Sequence, residues 1–356
     1  MKCCSKCFKD LEIQAIIKSI DKRGDCDFCG KRNTYIYDTD IDKGLILLFD
    51  ELLDIYTPVS NLPSDFPREY LGLLKDILRS RWNIFNLETE KIYILIKELC
   101  REKYLEKPEL FDSPVGILQV FQPEYLEENS VLKCFKWNEF LEYIKRVNRF
   151  HVDHFNKNML DVFFQYVTKK YQTGSNFYRA RICPDEIGFE KKEMGAPPAG
   201  VTEGGRANPA GISCLYVADS EKTTVHEIKA GLYDYISVGQ FELLDDIEVV
   251  DLAGLEKISP FLGIDFTQHA INIEHLKNIS NEIAKPMRRH DSPLDYLPTQ
   301  YISEYIKSKG YDGVQYKSTM CEDGFNLAIF DESKFSCVSV NVYDVKSLSY
   351  HYVKLE

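Results

Sequence analysis

Two cysteine pairs, Cys4-x-x-Cys7 and Cys26-x-x-Cys29, constrain the N-terminal fold of this chain more tightly than any other feature. Paired thiolates on two knuckles meet the tetrahedral demand of a structural metal such as zinc, at the spacing of a zinc ribbon. Gly24 and Gly30 bracket the second knuckle, where backbone amides can turn toward the sulfurs. Cys3 competes with Cys4 as a ligand, and the CxxC spacing favours Cys4. Four ordinary reduced cysteines would leave that spacing unexplained. A site with four protein ligands is closed, so it folds a module or docks a partner and does no catalysis.

The rest of the composition narrows the class. At 356 residues the chain exceeds one average domain, and 44% apolar with 13% aromatic residues allows a substantial core. The formal charge of −12 argues against a nucleic-acid-coating surface, so no direct nucleic-acid binding is expected, although a local basic pocket is allowed. LILLF and IYILI are too short to span a bilayer and sit in charged helical context, which predicts no membrane partner. MKCCSKCFKDLE has no apolar core of a signal peptide. Eleven cysteines without an export signal favour metal thiolates over disulfides. The expectation is a soluble, cytoplasmic protein.

Three segments follow. Residues 1–40 read as a zinc-ribbon-like module. Residues 41–172 read as a helical linker or regulatory domain, because KGLILLFDELLDIY, PREYLGLLKDILRSRW, TEKIYILIKELCREKYL and WNEFLEYIKRVNRF repeat apolar residues at helical spacing. Residues 173–356 alternate strands with helices: NFYRARI, SCLYVA, YISVGQFEL, IEVVDL, DGVQY, NLAIF and CVSVNVY carry β-branched and aromatic residues. SEKTTVHEIKAGL and LPTQYISEYIKSKG read as helices, the first capped by Ser220 and stopped by Gly231, the second stopped by Gly310. The fold class is α+β, with a C-terminal mixed sheet.

The third segment also holds the residue types that cleavage of NAD requires. Nicotinamide already leaves as a charged group, so the transition state is oxocarbenium-like and a carboxylate near the ribose stabilises it. Glu227 would be that carboxylate. Arg179 and Arg206 offer planar forks for phosphates or ribose, the latter beside Gly204 and Gly205, where backbone can approach a ligand. Tyr216 and Tyr178 would wall the nicotinamide ring, and Ser318 would bond a ribose or phosphate oxygen. Tyr178 and Arg179, as strand neighbours, face opposite sides, and Arg181 shares the side of Arg179. His226 and Glu227 diverge on their helix, so His226 reads as a surface or packing residue.

The ordered set Tyr178-Arg179 in FYRAR, Arg206 and Asn208 in GGRANPAG, Tyr216 in CLYVA, Glu227 in TTVHEIKA, Ser318 in YKST and Asn326 in NLAIF resembles the RES domain. That family is named for an arginine, a glutamate and a serine in this order. Its usual pattern places an aromatic after the loop arginine, where this chain has Ala207. The resemblance implies an ADP-ribosyltransferase-like fold and an NAD-consuming toxin or defence effector, acting as glycohydrolase or phosphorylase. In this scheme Glu227, Arg179 and Ser318 are catalytic, while Arg206, Asn208, Tyr216, Tyr178 and Asn326 bind NAD. A cognate antitoxin or inhibitor and a homodimer are the implied partners. Transfer of ADP-ribose to protein, or a non-catalytic nucleotide- or partner-binding module, are the alternatives. The cysteine-rich segment resembles modules found ahead of RES and HEPN domains. The pairs Arg149/His154 and Arg146/His151 share the R-x-x-x-x-H spacing of HEPN ribonucleases, but the surrounding sequence favours ordinary histidines.

Overall fold

The strand segments of the C-terminal half build one eight-stranded sheet, and the cysteine knuckles build a separate small one. The computed structural model describes residues 1–286, 292–321, 323–349 and 354. They divide into two units: 1–134 with 154–159 and 258–275, and 135–153 with 160–257 and 276 onward.

In the first unit, β1 (Lys2–Cys4), β2 (Arg23–Gly24) and β3 (Thr34–Asp38) form an antiparallel sheet in the order β1-β3-β2. The helix Leu11–Ser19 starts where the Asp10 side chain accepts from the Ile13 amide, and it buries Ile13 and Ile17, one turn apart. β4 (Thr57–Pro58), β5 (Gly72–Leu73) and β6 (Pro114–Gly116) make a second small sheet in the order β4-β6-β5. The helices Gly44–Asp54 and Thr89–Leu99 turn Phe49, Leu52, Ile92 and Ile96 into the same core as the cysteine module's Phe8 and Tyr37. Phe8, Phe49 and Phe85 meet there, with ring centroids 5.1–6.4 Å apart. The helix expected over PREYLGLLKDILRSRW is broken. A tight turn at Arg68–Tyr70 leads into β5, and only Leu74–Asp76 and a π-turn at Ile77–Arg81 are helical. Gly72 is a poor helix former, and its pairing with Val115 supplies the alternative.

In the second unit the sheet comprises β7 (Thr168–Tyr171), β8 (Asn176–Cys183), β9 (Leu215–Ala218), β10 (Tyr235–Leu243), β11 (Ile247–Asp251), β12 (Gly313–Lys317), β13 (Phe325–Ile329) and β14 (Phe335–Asp344). Their order is β14-β10-β8-β9-β13-β12-β11-β7. Neighbours are antiparallel except β11 and β12, whose parallel pairing requires a long crossover. The chain between them carries the helices Phe266–Ala284 and Leu297–Ser308. All seven strands expected in the third segment are present, and the fold is α+β with a mixed sheet. β7 is an addition: TKKY lies in the stretch read as helical, yet it pairs with β11.

Side-chain alternation sorts the sheet into two faces. Phe177, Leu215, Val217, Phe241, Leu327 and Ile329 share one apolar cluster. Ala180, Ile236 and Val238 form the other, with Tyr178, Val225 and Ile228 packed against them. Between β8 and β9 the ladder has a single residue pair, Tyr178 with Ala218. Beyond it the strands part, and the Ala180 amide donates instead to the Thr224 hydroxyl at 2.9 Å. A helix therefore enters the sheet at its weakest seam and satisfies the backbone donor left there. Among the described residues, no helix is long and apolar enough to cross a membrane.

Candidate functional site

That inserted helix, Glu221–Glu227, delivers Glu227 on its last turn. Ser220 caps it, its side chain accepting from the Thr223 amide, as the sequence predicts. It stops before Gly231, because Lys229 adopts a left-handed φ of 50° and ends the helix two residues earlier.

Glu227 meets Ser318 and Asn326. The Ser318 hydroxyl donates to Glu227 Oε1 at 2.5 Å, and Asn326 Nδ2 donates to the same oxygen at 3.0 Å. Ser318 itself is held: its Oγ accepts from the amides of Met320 (3.2 Å) and Cys321 (3.1 Å), which leaves its proton for the carboxylate. Ser318 and Asn326 are both buried. Three residues called from the sequence thus converge on one oxygen. Among the described residues, Oε2 accepts no hydrogen bond.

A second group forms around the glycine-rich loop. The Tyr216 hydroxyl donates to Asn208 Oδ1 at 2.6 Å and accepts from the Ala207 amide at 3.1 Å. Asn208 Nδ2 donates to the carbonyls of Glu203, Pro209 and Ile212. The polar atoms of Tyr216 and Asn208 are therefore engaged in shaping the loop, and burial holds the Tyr216 hydroxyl well above its ordinary pKa. Gln300 and Thr299 anchor the loop further, donating to the carbonyls of Gly205 and Arg206. Ala207, where the family pattern has an aromatic, is fully buried.

Gly205 is required by contact. A Cβ there would lie 2.6 Å from the Tyr216 hydroxyl and 2.7 Å from Asn208 Oδ1. Gly205→Ala is accordingly expected to destabilise the second unit by about 1–3 kcal/mol through overpacking. A denaturant titration returning the wild-type midpoint would contradict that contact.

The arginines have separate surroundings. Arg179 Nη1 donates to the Tyr216 carbonyl at 3.0 Å, whereas its Nε is buried without a hydrogen-bond partner. Burial, with the charge of Arg181, pulls its pKa below the usual value, and among the described residues no carboxylate forms an ion pair with it. The Glu332 carboxylate offsets part of that charge from a distance, and a desolvated guanidinium with an open Nε is a binding point for an anion. Arg206 donates to the Ile283 carbonyl at 3.0 Å and to the Lys285 carbonyl, and lies 5.9 Å from the Tyr296 ring centroid. It thereby caps the end of the Phe266–Ala284 helix. Tyr178 lies on the face of Glu227's helix, packed near Val225 and Ile228, and Arg179 falls on the opposite side of β8. His226 is exposed and lines a groove of about 340 Å³ with Glu221, Lys222 and Tyr343. Sequence reasoning missed Tyr316, Thr224 and Gln300, which read as ordinary strand or helix residues.

In the first unit, Cys4, Cys7, Cys26 and Cys29 bring their sulfurs within 4.8 Å of one another. Neighbouring sulfurs are 3.4–3.7 Å apart. Four thiolates at a zinc–sulfur length of 2.3 Å would stand about 3.8 Å from each other, so the tetrad fits a tetrahedral metal ion. Cys3 is outside the group: it lies on β1 opposite Tyr37. Gly30 turns with φ of 70°, and the Cys29 amide points to Cys26 Sγ at 3.5 Å. Of the R-x-x-x-x-H residues, Arg146 pairs with Glu142 on the surface, Arg149 and His151 are exposed, and His154 is buried.

No curated protein matches the chain. Among solved structures, it is similar to the crystal structure of the M. tuberculosis MbcT–MbcA toxin–antitoxin complex, at 13% identity and a TM-score of 0.30 over 51% of this chain and 91% of that one. The family model of the RES domain matches residues 177–352, a span that contains Tyr178, Arg179, Arg206, Asn208, Tyr216, Glu227, Ser318 and Asn326. The chain carries a RES domain over that span.

Proposed function

We propose that this chain is an NAD-consuming effector of the toxin type, breaking the bond between nicotinamide and ribose. The observation that carries the reading is the Glu227 carboxylate, fixed through Oε1 by Ser318 and Asn326 while Oε2 is left open. The electron pair of the glycosidic bond leaves with nicotinamide and neutralises its ring nitrogen. Positive charge develops at the ribose carbon, where Oε2 stabilises it. An acceptor oxygen then bonds to that carbon and its proton passes to solvent. Water as acceptor makes the protein a glycohydrolase, phosphate a phosphorylase, and a protein side chain an ADP-ribosyltransferase. Our reading is consumption of free NAD.

Arg179 takes a phosphate in this scheme, because its guanidinium is buried, its Nε is without a hydrogen-bond partner and no carboxylate among the described residues forms an ion pair with it. Arg206 binds the nucleotide from the glycine-rich loop, anchored on the end of the Phe266–Ala284 helix, and Tyr216 with Asn208 keeps that loop in shape. Tyr178 offers the aromatic wall. The four cysteines hold zinc as a structural ion, since an all-thiolate tetrahedral set suits it. An enzyme that drains NAD must be restrained in its own host, so a cognate inhibitor protein belongs to the proposal.

The test is nicotinamide release from NAD by purified protein, in buffer with and without phosphate. Release is expected, and its phosphate dependence names the acceptor. No release under either condition would sink the reading.

A further inference from the structure

Tyr316 lies on β12, two residues before Ser318, and pairs directly with Asn326 on β13. Directly opposed residues hold their Cβ atoms about 5 Å apart on the same face. The Tyr316 ring therefore stands beside the side chain that donates to Glu227. It is buried, at 6% exposure. Both charged groups of the site reach it: the Arg206 cation favours ionisation of its hydroxyl and the Glu227 carboxylate opposes it. Burial outweighs both and raises its pKa, which keeps the hydroxyl a proton donor.

The contrast with Tyr216 is the decisive point. Tyr216 spends its hydroxyl on Asn208 and Ala207. The Tyr316 hydroxyl makes no hydrogen bond among the described residues. It is not among the fully buried polar atoms that lack a partner, so the ring is enclosed while its oxygen stays reachable by solvent or a ligand. The charges that act on this hydroxyl are those of the Glu227 carboxylate and the Arg206 guanidinium.

We infer that Tyr316 is a substrate-contacting residue of this site, donating a hydrogen bond to a ribose oxygen of the nucleotide beside Glu227. The inference rests on the NAD-cleaving reading above for the reaction. It goes beyond the family's arginine, glutamate and serine in assigning the tyrosine that the site leaves without a protein partner.

Tyr316→Phe removes the oxygen alone and keeps the ring. Its kcat/KM for NAD is expected to fall about tenfold, the size of one hydrogen bond in a desolvated site. Its melting temperature should stay at the wild-type value or rise, because no protein bond is lost. Kinetics within twofold of wild type would overturn the assignment. So would lost turnover accompanied by a lower melting temperature, which would make the residue a packing element. Binding of ADP-ribose, measured by calorimetry on both proteins, separates this claim from the reaction. If wild type turns over no NAD, the reaction is wrong, and a roughly tenfold weaker affinity in Tyr316→Phe still supports the contact. Equal affinities, or no binding by wild type, would refute it.

Discussion

Glu227→Gln is expected to abolish nicotinamide release while leaving the melting temperature unchanged. Glutamine keeps an acceptor oxygen where Oε1 stands, so Ser318 and Asn326 retain their hydrogen bonds. It differs in the second position, where a neutral amide replaces the open carboxylate oxygen. The ground state therefore changes little, and stabilisation of positive charge at the ribose carbon is lost. Removing one preorganised electrostatic group costs on the order of 10²–10³ in rate, and loss of the carboxylate should lie at the upper end. Single-turnover kinetics with NAD read the effect directly. Wild-type turnover in the glutamine variant would transfer the role to another residue, whereas collapse of the fold would mean that Glu227 is structural.

Removing the metal should have the second large effect, on stability. Cys4, Cys7 and Cys26 are buried in the same apolar cluster as Phe8, Ile13, Phe49 and Leu95. Their sulfurs crowd together at 3.4–3.7 Å, an arrangement that a bound cation makes favourable. Structural zinc binding contributes on the order of 10 kcal/mol in small modules, as much as the whole stability of many domains. Chelation, or Cys26→Ser, is expected to unfold the first unit cooperatively, with early loss of amide protection over β1 and β3. Native mass spectrometry would show the metal leaving with the transition. Protein that contains no metal and ignores chelators would overturn the zinc assignment.

Most of the sheet is legible in the sequence because its strands are bounded by turns and rich in β-branched and aromatic residues. YISVGQFEL and NLAIF are examples, and they become β10 and β13. β7 escapes notice because TKKY is a charged edge strand with no apolar alternation. The Phe266–Ala284 helix escapes for a different reason. Its buried side includes His269, Asn272 and Ser280, so polar residues interrupt the apolar stripe that would announce it. Asn272 is buried to bond the Val131 amide at 2.6 Å, a long-range need that no local pattern reveals. The same limit applies to the site. The motif order brings Glu227, Ser318 and Asn326 to attention, but the hydroxyl of Tyr216 goes to the loop and that of Tyr316 stays unused. Only the cross-strand register separates those two tyrosines.

The two units are not arranged one after the other along the chain. Residues 258–275 belong to the first unit, where Ala270 and Ile271 join its core and Phe261 and Phe266 pack against it. During synthesis, therefore, the N-terminal unit lacks part of its interior until residue 275 has left the ribosome. Arg179, Arg206 and Glu227 have by then already emerged, whereas Ser318 and Asn326 have not. The carboxylate thus waits for both of its hydrogen-bond donors until the first unit has all of its chain. The order of translation itself delays the appearance of a finished site.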